Sequence, residues 1–264
     1  MHGKSAIWIM VLLAIAAGVF YWFLQSRAPA PPAPVSLPAP SAVVQPEDTG
    51  PRYPLPVAPL ADKPNVQPLP DLSASDDYLR LDISRVFGQD LAALLVRQAL
   101  IERIVATVDN LPRPQIAGKI RPVEPLASSF VALGQDDSGE YQLGRDNFAR
   151  YDALVARLQS VDIDQMVELY RRYYPLFQTA YEGLGYPNGY FNDRLVEVLD
   201  HLLATPDIPG DIVLVRPNVL YEYADEKLAR LSSGQKLLIR MGPAHREAVL
   251  QVIRVFRDKV AFTN

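Results

Sequence analysis

Cysteine is absent from this chain of 264 residues, which excludes disulfides, thiol nucleophiles and thiolate metal sites. Histidine is nearly so: His2, His201 and His245 are the three present, so no metal site in the domain can draw on more than a pair. No GxSxG elbow and no HExxH occurs. There is no run of basic residues either. The formal charge is −4; from Asp71 onward 22 Lys and Arg stand against 27 Asp and Glu, giving −5, while residues 1–70 carry 4 against 3, or +1. A mildly acidic domain of this kind makes no nucleic-acid binder and offers no polybasic patch to anionic lipid. The lack of thiols is consistent with an oxidising compartment such as a periplasm.

What is present begins with a long apolar run. Residues 1–5 precede AIWIMVLLAIAAGVFYWFL, nineteen residues from Ala6 to Leu24 without charge or proline. About 20 such residues span a bilayer core of about 30 Å. A cleaved signal peptide carries a shorter core, about 7 to 15 residues, and a small-residue cleavage site. Here Phe20, Tyr21, Trp22 and Phe23 crowd the end, suiting the headgroup layer, so the run reads as a retained single-pass transmembrane helix. Lys4 before it, and the long chain after it, place the amino terminus inside. Ala14 and Gly18 form one small-xxx-small pair of the kind that lets two spans approach.

Residues 25–70 hold fourteen of the twenty-four prolines and show no helical or alternating period. They read as a Pro-rich disordered linker, a semi-rigid spacer whose reach is at most roughly 140 Å. Pro29–Pro34 and Pro51–Pro59 are the alternative, as ligands for an aromatic groove.

The globular part is expected at 71–264, folding alone and drawing no stability from the spacer. Leu79, Ile83, Val86 and Phe87 mark an amphipathic helix that Asp76 caps and Gly88 ends. A second helical stripe runs from Leu91, Leu94 and Leu95 through Ile101, Ile104, Val105 and Val108 to Pro112. SSFVALG and EYQLG flank the acidic turn QDDSGE as a small β-hairpin. Asp136, Asp137 and Glu140 lack the spacing of a calcium loop, which leaves a solvated tip. Phe148, Tyr151, Val155 and Leu158 resume a helical face after Asp146 or Asn147 as cap. A longer face follows from Met166 to Leu184, with Pro175 set to bend or interrupt it. GYPNG turns the chain, and Asn192 is placed to cap a helix carrying Leu195, Val196, Leu199, Leu202 and Leu203. IVLV, bounded by Gly210 and Pro217, reads as a short strand or buried extended segment, Asp225 opens a short helix, and Ser232 with Gln235 has capping-box spacing, a better account of SSGQK than a phosphate loop. The last helix, Ala244 to Val260, buries Val249, Val252, Ile253, Phe256 and Val260 and turns Arg246 outward.

Eight aromatics lie between Tyr170 and Phe191. Those at helical spacing read as core; Tyr186, Tyr190 and Phe191, at the turn and off the periodic face, are the candidate interaction residues for a glycan or protein partner. One cluster has catalytic potential: Glu197, Asp200 and His201, where Glu197 and His201 are four apart on one helical face. Pairing of Arg194 with Glu197 and of Glu197 with His201 along a solvated face explains the same residues.

IVATVDNLPRP, FARYDALVA, LYRRYYPLFQTAYEGLGYPNGYFNDRLVEVLDHLLATP and VLYEYADEKLARLSSGQKLLIRMGP resemble an uncharacterised bacterial family catalogued as a domain of unknown function, DUF3014. Its members similarly carry an amino-terminal span and a Pro-rich linker. The resemblance supplies no activity, cofactor, metal or catalytic residue. One departure is YADEKL, where a proline often follows the aspartate. The combined expectation is a mainly α domain with a small β-hairpin in the periplasm, held on a bacterial inner membrane by the span. It would act as a non-enzymatic interaction or scaffold module for an envelope protein or peptidoglycan. An envelope hydrolase using a carboxylate such as Glu197 or Glu222 is the alternative.

Overall fold

The computed structural model describes residues 50–55, 68–124, 130–134, 139–217 and 220–261. The span expected at 6–24, most of the spacer and residues 135–138 of the acidic turn lie outside them. Among the described residues no helix is long and apolar enough to cross a membrane.

The described residues form ten α-helices and four short strands. The first helices are α1 (Asp76–Phe87), α2 (Gln89–Ala93) and α3 (Leu100–Asn110), and strands β1 (Ala132–Leu133) and β2 (Glu140–Leu143) follow. Then come α4 (Asp146–Ala149), α5 (Asp152–Gln159), α6 (Ile163–Gly183) and α7 (Phe191–Leu203). Strands β3 (Val213–Val215) and β4 (Glu222–Tyr223) precede α8 (Glu226–Ala229), α9 (Ser233–Arg240) and α10 (Pro243–Val260). The strands form one antiparallel sheet in the order β1-β2-β3-β4. The expected hairpin is thus half of a larger sheet: IVLV supplies β3, and β4 adds an edge that periodicity did not mark.

Helix α7 is the centre of the fold. Leu195, Val196 and Leu199 enter the main core with Leu79, Leu100, Ile101, Val105, Tyr173 and Phe177. Val198 and Leu202, on its other side, enter a second cluster with Tyr151, Val155, Leu238, Met241 and Leu250. A helix buried on two sides reads less clearly as a stripe, which is why Val198 was missed. Leu143, Leu214, Tyr223 and Ile239 form the smaller core beneath the sheet.

Several caps fall where the sequence places them. Gly88, at φ 85°, ends α1 and opens α2 in a backbone region that side chains strain. The Asp225 carboxylate accepts from the backbone N–H of Lys227 and Leu228 at the start of α8, so a proline is not needed there. Ser232 and Gln235 make a reciprocal capping box on α9.

Other expectations are corrected. Asp76 does not cap its own helix; its carboxylate accepts from the N–H groups of Ala99 and Leu100 at 2.9 and 2.7 Å, at the start of α3. The second stripe is therefore not one helix: 94–99 leave helical geometry, and Leu95 bridges Val123 instead. Asn147 is buried and holds the Val131 backbone, accepting its N–H at 2.9 Å, rather than capping α4. Helix α6 runs uninterrupted through Pro175, which is exposed, where water can satisfy the carbonyl that its ring frees. Leu184 is exposed beyond the end of α6 instead of continuing its face. Arg246 is buried, with its guanidinium on Asp207, and Leu250 takes the inward position that the stripe assigned elsewhere.

The packed body also begins before Asp71. Tyr53, Leu55 and Leu69 rest on the main core. The Asp193 carboxylate accepts from the backbone N–H of Arg52 and Tyr53 at 2.9 and 2.8 Å. Part of the Pro51–Pro59 stretch thus docks on its own domain.

Candidate functional site

The α6–α7 unit carries the residues singled out by sequence. On α6, Tyr170, Tyr173, Phe177 and Tyr181 are buried, as their spacing predicts. Burial pushes the phenols of Tyr173, Tyr174 and Tyr181 up to about 12, and Tyr170 also upward, because the phenolate would lose its hydration. Tyr173 also donates to Asp82 Oδ2 at 2.9 Å, which holds the proton on the phenol.

The end of α6 and the turn after it are exposed from Glu182 to Asn188 yet tightly held. Gln178 donates from Nε2 to the Gly189 carbonyl at 2.8 Å and accepts the Phe191 N–H on Oε1 at 2.8 Å, so one side chain pins both ends of GYF. Tyr186 stacks on Tyr181 with centroids 4.7 Å apart and remains 37% exposed. Tyr190 is half-buried. Phe191 is not a surface residue: it is 1% exposed, stacked on Phe177 at 5.7 Å and packed on Tyr181. As the first residue of α7 it points its ring into the core, and of the three candidates Tyr186 alone presents an open ring.

The next three residues tie the start of α7 to distant parts of the chain. Asn192 is fully buried inside the first turn of α7 and does not cap it. Its Oδ1 accepts from the Tyr170 hydroxyl at 3.0 Å, and Nδ2 donates to the carbonyls of Tyr53 at 2.8 Å and Val260 at 3.0 Å. Asp193 receives the Arg52 and Tyr53 amides. Arg194 donates from Nε to Asp109 Oδ1 at 2.9 Å and from Nη2 to the Asp109 carbonyl at 2.8 Å, pairing a buried acid at the end of α3. These polar ties were not foreseen; the only signal was polar residues interrupting an apolar run.

The catalytic alternative is differently arranged than helical spacing suggests. Glu197 pairs with Arg194 at 3.4 Å and Arg52 at 3.8 Å. Asp200 holds Arg257 with two oxygens, at 2.8 and 3.0 Å. His201 turns instead to Ser232, with Nε2 and Oγ 2.8 Å apart. That distance would suit a base and a nucleophile, but Ser232 is 5% exposed and its Oγ already accepts the Gln235 N–H as a helix cap. Glu222 lies exposed on β4, opposite Val215. Among the described residues no three His, Asp or Glu side chains converge as a metal site requires.

Fold and site together define a mainly helical domain with a small antiparallel sheet, in which an aromatic turn is fixed from beneath by polar ties. The chain belongs to the family described as protein of unknown function (DUF3014), which its residues 100–257 match. Comparison with curated proteins found no match, and neither did comparison with solved structures.

Proposed function

We propose that this chain is a non-enzymatic interaction or scaffold module of a bacterial envelope. In this reading residues 6–24 anchor it in the inner membrane, the domain stands in the periplasm, and an envelope protein or peptidoglycan is engaged at the Tyr186 end of the α6–α7 turn. The observation that carries the reading is that this turn is both exposed and fixed. Tyr186 and Leu184 are 37% and 43% exposed, while Gln178 and the Tyr181 ring hold the backbone and the stack. An aromatic anchor that is already ordered loses little entropy on binding. The hydrolase alternative draws less support, because Glu197, Asp200 and His201 each already engage a partner within the fold.

The test is photocrosslinking in living cells, with a photoreactive amino acid in place of Tyr186 and, as control, in place of Leu81, which is 51% exposed on α1. A discrete adduct at position 186 and none at 81 is expected. Equal labelling at both positions, or none at 186, would refute the assignment.

A further inference from the structure

A second surface has the opposite chemistry. The connection between α2 and α3 and the chain after α3 lie side by side, antiparallel, where Leu95 bridges Val123. The Val96 N–H donates to the Pro122 carbonyl at 2.9 Å and the Glu124 N–H to the Leu94 carbonyl at 2.8 Å. Here an open groove of about 630 Å³ is lined by Val96, Arg97, Gln98, Arg103, Arg121 and Val123, with Glu124 the one carboxylate among the described residues that line it. Arg97 and Arg121 are exposed, and neither makes an ion pair among the described residues.

Both walls are braced from below. Arg80 of α1 donates to the Leu95 and Val96 carbonyls. Asp76 holds the Ala99 and Leu100 amides and so keeps Ala99 at φ 53°, the one positive φ outside glycine among the described residues. A residue with a Cβ adopts that angle when its surroundings over-determine it, and such positions cluster at functional sites. On the other wall Thr107 Oγ1 donates to the Ile120 carbonyl at 2.8 Å, and Arg103 donates to the carbonyls of Lys119 and Arg121. The groove is therefore preorganised, and its two outer guanidiniums are free to form forked bonds with oxyanions.

The ligand's chemistry follows from two further facts. The protein carries −4 overall, so a long polyanion is repelled by the rest of the molecule and only a short, locally placed anion is favoured. Val96 and Val123 stand among the arginines, and Val123 is 45% exposed, which suits aliphatic side chains alternating with acidic ones. We infer that this groove binds a short acidic peptide segment of a partner protein, its carboxylates on Arg97 and Arg121 and an aliphatic side chain over Val123. This site rests on elements other than the Tyr186 turn, so failure of the crosslink at 186 leaves it standing.

The test uses the full-length protein in detergent and a fluorescein-labelled peptide of alternating glutamate and valine, followed by polarisation at low salt. Saturable binding is expected. It should weaken about tenfold or more in the double variant Arg97→Gln/Arg121→Gln, in part in Arg97→Gln alone, and be lost for the same peptide with glutamine in place of glutamate. Unchanged thermal melts of both variants establish that the fold is intact. No saturable binding, equal binding by the double variant, or equal binding of the glutamine peptide would each overturn the inference. So would tighter binding of tripolyphosphate than of the peptide, which would mark the groove as a phosphate site.

Discussion

Asn192 donates from Nδ2 to the backbone carbonyl of Tyr53 at 2.8 Å, joining the first turn of α7 to the chain that leads in from the Pro-rich segment. The same amide nitrogen holds the Val260 carbonyl at the end of α10, and Oδ1 holds Tyr170. One buried side chain thus gathers the entry strap, the last helix and α6, and its neighbour Asp193 doubles the grip on the strap.

Replacing Asn192 by leucine should destabilise the domain by about 3 kcal/mol or more, because the Tyr170 hydroxyl and the carbonyls of Tyr53 and Val260 lose a buried partner together. A fragment beginning at residue 71 should likewise unfold at lower urea than one beginning at 48, since it lacks Tyr53 and Leu55 on the core. Urea titration followed by circular dichroism checks both. Coincident curves for the two fragments would show that the strap adds nothing.

The tyrosine cluster predicts a steep loss of stability in alkali. Burial raises the phenols of Tyr173, Tyr174 and Tyr181 to about 12 from 10.0, and Tyr170 in the same direction. Between those values the folded chain keeps protons that the unfolded chain releases, so stability is full below about pH 10 and is lost as pH rises through about 12. Tyrosinate absorbance and ellipticity should change together across this window. Tyrosines that titrated fully near pH 10 with helicity retained would contradict the buried cluster.

The sequence made the elements legible wherever one face is buried and the other wet: α1, α6 and α10 follow from periodicity, the strand at IVLV from a short apolar run between Gly210 and Pro217, and the caps at Asp225 and Ser232 from spacing. It misled where a polar side chain acts at long range. Asp76, Asn147 and Asn192 all stand where a local cap would, and each bonds a segment 16 or more residues away, which local spacing cannot encode. Phe191 was misplaced for a related reason: it follows a turn, yet it is the first inward residue of α7. Arg97 and Arg121 gave no motif, because antiparallel bridging of 94–96 with 122–124 brings them to one groove.

The polar face of α7 separates local from distant pairing. Glu197 is half-exposed on the ion pairs it makes, so Glu197→Gln should cost less than about 1 kcal/mol. His201→Ala should cost more, about 1 to 2 kcal/mol, since it removes the partner of the Ser232 hydroxyl at the start of α9. A double-mutant cycle with Ser232→Ala should show coupling between 201 and 232 and none between 197 and 201. Coupling of 197 to 201 instead would restore the helical pair suggested by their spacing.

Two glycines should respond to alanine with opposite signs. Gly234 opens α9 against the end of α3, donating its N–H to the Leu111 carbonyl at 3.0 Å. A Cβ there would come within 2.6 Å of Leu202 Cδ2 and 3.3 Å of the Leu111 carbonyl oxygen. Leu202 is buried in the second cluster and cannot swing away without disturbing Val198 and Leu238, so Gly234→Ala should destabilise by about 1 to 3 kcal/mol through overpacking. Gly183, in the last turn of α6, has nothing within 4 Å of an added Cβ. Gly183→Ala should stabilise by about 0.5 to 1 kcal/mol, since alanine loses less backbone entropy on entering a helix. Thermal melts of the two variants decide the matter: Gly234→Ala at or above the wild-type midpoint would mean that α9 can move off Leu202, and that the close approach at Leu111 is not what fixes it.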